Sequence, residues 1–370
     1  MSGPAKASKR YKPLLWALLV ACILILAWRS IYNPLAPKDV PSHGYYWSRA
    51  ESGSEFLELD LSEPERRHIW WQSFGADGAW IFSLEIRDGA WAGNDTWNSD
   101  RGELEKAFLP HGSISSDGKT LRAIVLTKGT NIFQRIAQTR CVELVRGFRF
   151  ANRGARLTMR AEYPHFISNH PFAQHLNSFL AEKARRQLSA NGWLDESLGL
   201  GGQLKSMFDG PSYTGEWSSK SSYHIISLNG RGCSLLEQLD SYTGGAHGMT
   251  GFTVWNFLWD GKTLKKVEID EFFRANSPWQ QQLTDLTVKK LQKLQASWVV
   301  TNGSKVLAPD FWQRYTFAPD GLRFHFDPYE AGSYSEGSFT VLVRWDELES
   351  LLNQETLSRL LPTTPNSRPK

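Results

Sequence analysis

Residues 241–248 read Ser241-Tyr242-Thr243-Gly244-Gly245-Ala246-His247-Gly248, and this stretch decides how the rest of the chain is read. Three glycines and an alanine in five positions leave the backbone nearly bare around one large polar ring, His247. Glycine costs backbone entropy on folding, so such a cluster predicts positive φ angles or the close approach of another segment. Next come Gly251-Phe252-Thr253-Val254-Trp255-Asn256-Phe257-Leu258-Trp259, then Asp260-Gly261 and Lys262-Thr263-Leu264. That order predicts an aromatic strand, a primed-type hairpin turn at Asp260-Gly261 and a return strand. Upstream, residues 221–228 and 233–242 read as strands leading into the glycine turn.

Working outward, residues 156–162 predict a further strand, and Phe172, Leu176, Phe179, Leu180 and Leu188 recur at helical spacing. Downstream, Ser277 is placed to cap a helix with Pro278 at its first position. That helix would bury Leu283, Leu286, Leu291, Leu294 and Trp298. Leu322, Phe324 and Phe326 alternate with Arg323, His325 and Asp327, the pattern of a half-buried strand. Residues 346–352 predict a last short helix, and the Pro/Thr/Ser-rich end from Pro362 predicts disorder. Residues 42–150 are dense in turn signals between the β-rich runs 69–74, 80–86 and 121–126, which predicts a small, mostly β region. The fold class expected is α+β: an N-terminal transmembrane anchor, the small β region, then helices packed on mainly antiparallel sheet.

The motifs together resemble the C-terminal domain shared by the lysozyme-sensing anti-sigma factor RsiV and a membrane-anchored peptidoglycan deacetylase. Tyr163-Pro164, followed by a helical segment with Leu176-Asn177, resembles the start of the companion domain that precedes it in those proteins. Residues 317–332, with Tyr329-Glu330-Ala331 and the later Gly337, resemble its terminal strand. On this reading residues 1–12 are a basic cytoplasmic tail, 13–31 the anchor and 32–41 a linker. Residues 42–150 are a mostly β region outside the resemblance, 151–235 form the companion domain, 236–355 the RsiV-like domain and 356–370 a tail expected to be disordered.

Lys6, Lys9, Arg10 and Lys12 precede the apolar run 13–28, which predicts a cytoplasmic N-terminus, a single inner-membrane pass and an extracytoplasmic bulk. Leu19-Val20-Ala21-Cys22 also fits a lipobox, so a lipoprotein acylated at Cys22 stands as the alternative. The net charge is +4, and those four basic residues account for all of it. A neutral exported part gives no reason to expect nucleic acid. Cys141 and Cys233 are both exported on this topology; a disulfide between them and two free thiols are both open readings.

Catalytic motifs are absent: there is no Gly-x-Ser-x-Gly, no His-Glu-x-x-His and no Cys-x-x-Cys. His165, His170 and His175 would not share a helix face. No cofactor and no metal are expected. The resemblance implies a binding domain, since lysozyme is received there in the anti-sigma relative. The expected partner is a muramidase or other envelope protein, or peptidoglycan. An enzyme or accessory module acting on peptidoglycan glycan is the alternative. A sigma-factor partner is not carried over, because only twelve residues precede the apolar run. The expected binding residues are Tyr242, Gly244, Gly245, His247 and Gly248, joined by Trp91 and Trp97, whose Gly, Asn and Asp neighbours predict an aromatic-bearing loop. For His247 two roles are open: fixing the turn, or lining a groove.

Overall fold

The computed structural model of the chain describes residues 37–361 except 51–52, 61–67, 74–78, 88–89, 99–101, 104–110, 116–118, 126–128, 151–152, 191–215 and 243. The expected anchor at 13–31, Cys22 and the tail from Pro362 lie outside the described residues. Among the described residues no helix is long and apolar enough to cross a membrane.

The first strands are β1 (Lys38–Ala50), β2 (Gly53–Asp60), β3 (His68–Ser73), β4 (Ala79–Arg87), β5 (Ala90–Asn98), β6 (Gly102–Glu103), β7 (His111–Ile114), β8 (Thr120–Val125) and β9 (Gly129–Phe150). They pair antiparallel in the order β1-β2-β3-β4-β5-β7-β8-β9, and β1 pairs back onto β9 from Lys38↔Cys141 to Trp47↔Gln134. Among the described residues these eight strands therefore close a ring, with β6 paired to β5 off that path. β1 starts at Lys38, inside the stretch expected to be a linker up to residue 41.

The strands that follow are hydrogen-bonded directly to the ring. β9 continues out of it and pairs with β10 (Arg153–Phe166) over the whole length of that strand. β11 (Glu216–Leu228), β12 (Gly232–Tyr242), β13 (Met249–Trp259) and β14 (Leu264–Lys266) extend the same sheet, giving fourteen strands among the described residues. The expected boundaries at 150/151 and 235/236 thus fall at the β9–β10 connection and inside β12.

β10 and β11 run parallel, a pairing that requires a crossover. The helix α1 (Pro171–Ala190) lies in that connection and packs on the sheet. Its buried stripe is Phe172, Leu176, Leu180, Ala184 and Leu188, set against Met159, Ala161, Tyr163, Tyr223, Ile225 and Leu235. Each such leucine stabilises the fold by about 1.5–3 kcal/mol through burial. Asn177 holds the end of β10: its Oδ1 accepts from Phe166 N at 2.7 Å and its Nδ2 donates to Phe166 O at 2.9 Å. Pro164 sits where β10 pairs only with β9, beyond the last β11 partner at Ala161, so its missing N–H costs no ladder bond.

The C-terminal unit is a three-stranded sheet, β15 (Tyr315–Ala318), β16 (Gly321–Phe326) and β17 (Phe339–Arg344), covered by α2 (Trp279–Lys293) and α3 (Ser297–Asn302). A final helix, α4 (Gln354–Leu360), follows a 3-10 turn at Asp346–Leu351. Phe272, Leu283, Leu291, Phe311, Phe317, Phe324 and Val343 form its core. Ser234 and Asn256 join this unit to the large sheet. The Ser234 hydroxyl donates to Asn256 Oδ1 at 2.6 Å and accepts from Phe317 N at 3.1 Å, while Asn256 Nδ2 donates to Tyr315 O at 2.7 Å.

Several local expectations shift. Pro278, not Ser277, holds the cap position of α2, and the Ser277 hydroxyl donates back to Arg274 O. Trp298 belongs to the separate helix α3 and is 38% exposed. β16 is buried on both faces, with Arg323 and His325 enclosed as fully as its apolar residues. Trp259 pairs with Leu264, so the hairpin turn spans residues 260–263 instead of two residues. Asp260 closes it by accepting from Lys262 N at 2.9 Å and Thr263 N at 2.7 Å.

Candidate functional site

The glycine turn between β12 and β13 has the backbone its composition predicts. Gly244 and Gly245 take φ of 93° and 102°, the left-handed region that disfavours a side chain. Gly248 is needed for close approach: a Cβ there would stand 2.8 Å from Ser241 O. The Tyr242 hydroxyl donates to Gly245 O at 3.1 Å, tying the turn to the strand that enters it.

His247 is exposed and its Nδ1 lies 2.9 Å from Gly248 O. A carbonyl only accepts, so Nδ1 carries the proton and Nε2 the lone pair in the neutral ring. The imidazole stacks on Tyr334, with centroids 3.7 Å apart and planes 20° from parallel. The Tyr334 hydroxyl donates to the same Gly248 carbonyl at 2.8 Å. Tyr334, which sequence reasoning did not single out, therefore docks the turn onto the C-terminal unit.

The rings continue beyond this pair. Tyr329 lies 5.6 Å from Tyr334, and Trp298 lies 6.4 Å from Tyr329. Tyr329 is 46% exposed and holds φ at 71°, a strained conformation for an aromatic residue. His247, Tyr334, Tyr329 and Trp298 thus form a partly exposed aromatic row along the C-terminal unit.

Beside the turn a groove of about 760 Å³ opens across the sheet. Strand register sets its floor. Glu143 pairs with Arg160, Arg160 with Lys220, Lys220 with Asp240, and Asp240 with Thr250, so one row crosses five strands. Period-two alternation puts these side chains on a common face. Tyr242, Gly248, Met249 and Tyr334 close the end nearest the turn. The cations are held from below: Glu162, fully buried, accepts from Arg160 and lies 3.3 Å from Lys220 Nζ. Asp240 accepts from Thr250 at 2.6 Å and from Gln238 at 2.9 Å.

A second charged cluster lies buried between the ring and the large sheet. Glu58 on β2 bridges two imidazoles, His43 Nε2 at 2.8 Å and His224 Nδ1 at 2.7 Å. Burial alone raises a carboxyl pKa, but His224 and then His43 pull Glu58 well below the usual carboxylate range. Burial disfavours the His224 cation, and Glu58 outweighs it, leaving the ring above its ordinary value. His43, Glu58, Glu162 and His224 are scattered over the chain, so no local spacing exposes them. Their only signal is a polar residue inside an otherwise apolar strand pattern.

Of the expected turn residues, Tyr242 and Gly248 line one end of the groove, and Gly244, Gly245 and His247 belong to the turn beside it without lining it. The structure does not bring Trp91 and Trp97 there. Both lie within β5, paired with Ile86 and Ile81 of β4, and not in a loop. β5 is in the ring, separated from β10 by β7, β8 and β9. Cys141 and Cys233 are free and buried, on β9 and β12 with β10 and β11 between them. Three strand spacings are about 14 Å, beyond the roughly 7 Å Cα separation a disulfide tolerates. Among the described residues no cluster of three His, Cys, Asp or Glu forms a metal site.

The class defined here is an α+β protein with an open groove on a large, mainly antiparallel sheet, closed at one end by Tyr334 of the C-terminal unit. Residues 270–346, inside that unit, carry a DUF3298 domain, matching the family described as a protein of unknown function. Two solved structures of DUF3298 proteins are similar. A member from Bacteroides fragilis is 15% identical with a TM-score of 0.45, covering 61% of this chain and 98% of its own. A family protein from Pseudomonas aeruginosa PAO1 is 14% identical with a TM-score of 0.37, covering 59% of this chain and 94% of its own. No curated protein matches the chain.

Proposed function

We propose that the chain is a binding protein of the bacterial cell envelope, anchored in the inner membrane through residues 13–31, whose His247–Tyr334 face receives a lysozyme-like muramidase. The supporting observation is the stacking of His247 on Tyr334, which fixes the glycine turn against the C-terminal unit beside an open groove. Rigid aromatic anchors next to a polar groove are the composition of an interface that binds through a few well-packed contacts. The groove mixes Glu143 and Asp240 with Arg160 and Lys220, so complementary charges on a partner would set register more than attract it from a distance. The resemblance of residues 155–355 to the anti-sigma factor's lysozyme-binding part supplies the partner class.

Calorimetry of the detergent-solubilised full chain against several lysozyme classes tests this. Binding heat with at least one class, together with inhibition of its muramidase activity, is the expected result. No heat and no inhibition, alongside release of modified muropeptides from purified cell wall, would replace this reading with an enzyme acting on peptidoglycan. Mass spectrometry of the mature chain separates the anchor from the lipoprotein: an acylated N-terminus at Cys22 would exclude the intact membrane pass.

A further inference from the structure

A second cavity lies near the start of α1, apart from the groove, with a volume of about 400 Å³. Four segments meet there: the β11–β12 hairpin tip with Gly230 and Arg231, the β13 end with Trp259 and Asp260, Arg359 of α4, and His170 ahead of α1. Asn229 brings two of them together. Its Oδ1 accepts from Arg231 N and Gly232 N, both at 2.8 Å, and its Nδ2 donates to Leu360 O at 2.6 Å. The hairpin tip carrying Arg231 is thereby fastened to the helix end carrying Arg359.

The chemistry of the lining is one-sided. Among the described residues neither guanidinium makes an ion pair within this chain, in contrast to Arg160, Arg314 and Arg323, which do. His170 Nδ1 accepts from Phe172 N at 3.3 Å, so its Nε2 carries the proton and is a third donor. The one acid, Asp260, is engaged by its own turn: it accepts from Lys262 N, Thr263 N and the Thr263 hydroxyl, and lies 3.2 Å from Lys265 Nζ. A Cβ at Gly230 or at Gly261 would meet nothing within 4 Å, so the backbone at the mouth is bare.

From this we infer that the cavity is a binding site for a compact oxyanion, a phosphate group first among them, held by Arg231 and Arg359 with His170 as a further donor. Guanidinium forks match the oxygens of phosphate in pairs, and such charge-assisted bonds are about twice as strong as neutral ones. The volume is at the lower end of small-ligand cavities, which suits a phosphate or a headgroup-sized phosphodiester and not a large ligand. The site is independent of the muramidase reading.

The test is calorimetry of the full chain in a non-ionic detergent at low salt, titrated with inorganic phosphate, with short-chain phosphatidylglycerol and with short-chain phosphatidylcholine. Wild type should take up phosphate, and Arg231→Ala and Arg359→Ala should each weaken uptake about tenfold. Both side chains are exposed, so melting temperatures should stay within a few degrees of wild type. Lys220→Ala, which removes a groove cation, should leave phosphate uptake unchanged. Phosphatidylglycerol binding tighter than phosphate, and lost in the double arginine variant, makes a lipid headgroup the source; phosphate binding as well or better makes it a free anion. No uptake by wild type of either probe at tens of millimolar, uptake that survives the double substitution, or equal loss in Lys220→Ala would each overturn the site.

Discussion

His247 and Tyr334 lie face to face, 3.7 Å between ring centroids, and both donate a hydrogen bond to the carbonyl of Gly248. One backbone oxygen thus ties a surface turn of the large sheet to a 3-10 turn of the C-terminal unit, Tyr334–Glu336. His247 is tied into the turn and heads an exposed aromatic row, while the groove beside it is lined by Tyr242, Gly248 and Tyr334 and not by His247 itself.

Substitutions at this pair separate those roles. Tyr334→Phe removes one donor to Gly248 and is expected to cost about 1 kcal/mol in urea unfolding. His247→Ala leaves Tyr334 in place but removes the stack and one donor to Gly248, so it should also cost about 1 kcal/mol in unfolding. Affinity for a muramidase partner should fall at least about tenfold, near 1.4 kcal/mol. A variant that loses stability and keeps affinity would make His247 a turn residue alone.

The glycines of the turn should differ in what they tolerate. Gly248→Ala drives a methyl to 2.8 Å from Ser241 O, in backbone that cannot swing aside, and is expected to destabilise by about 1–3 kcal/mol. Gly245→Ala meets no atom within 4 Å and suffers only from its φ of 102°, roughly 1–2 kcal/mol. Gly230→Ala, in open space, should cost only a few tenths. Chemical denaturation of the three variants checks this ranking.

Stability should depend on pH through three buried groups. Glu58 has a depressed pKa in the folded chain, so its contribution is present above the unfolded value of about 4.3 and is lost as pH falls through the folded one. His224 is raised, so its contribution is full below about 6.5 and lost as pH rises through its folded value. His325 is held neutral by burial first, then by Arg323 and Arg314, and is pushed down to about 3. The unfolded chain takes up that proton below about 6.5, so stability drains away as pH falls from there. Unfolding free energy should therefore peak around pH 6.5–7 and decline on both sides. His325→Gln should flatten the acid limb. Glu58→Gln should cost about 3–5 kcal/mol near pH 6 and less once pH has risen through the folded value of His224.

Cys141 and Cys233 should both resist reagents until the chain unfolds. Cys141 is 7% exposed with its thiol pushed up to about 11 by burial, and Cys233 is fully enclosed with its thiol pushed higher still. Iodoacetamide should modify neither in the native chain and both in urea, read by peptide mass spectrometry, with no linked peptide in unreduced samples. A Cys141–Cys233 peptide would contradict the register that holds β10 and β11 between them.

Some of this was legible in the chain because it is governed by neighbours a few residues apart. The positive φ at Gly244 and Gly245, the apolar stripe from Phe172 to Leu188 and the strand runs at 69–74, 80–86 and 221–228 follow from local sterics and from side-chain period. The α+β class with mainly antiparallel sheet follows from their order. Where local rules misled, a distant partner intervened. Arg323 and His325 read as the wet face of a strand, yet both are buried, with Asp320 holding the arginine and Thr316 the histidine. Trp91 and Trp97 read as loop residues among Gly, Asn and Asp, yet β4 draws them into the ring.

What the tertiary structure alone decided is which remote residues meet. By itself the sequence determined the bare turn around His247, because glycine content and chain sterics act within one segment. It held nothing that marked Tyr334 as the partner of His247, 87 positions away. Nor did it mark Glu58 as the bridge between His43 and His224, or β9 as the strand that both closes the ring and carries the same sheet onward to β10. Those meetings are set by strand register and by the packing of one unit on another. Both depend on the summed burial of many side chains across the whole fold, a quantity no short window of residues contains.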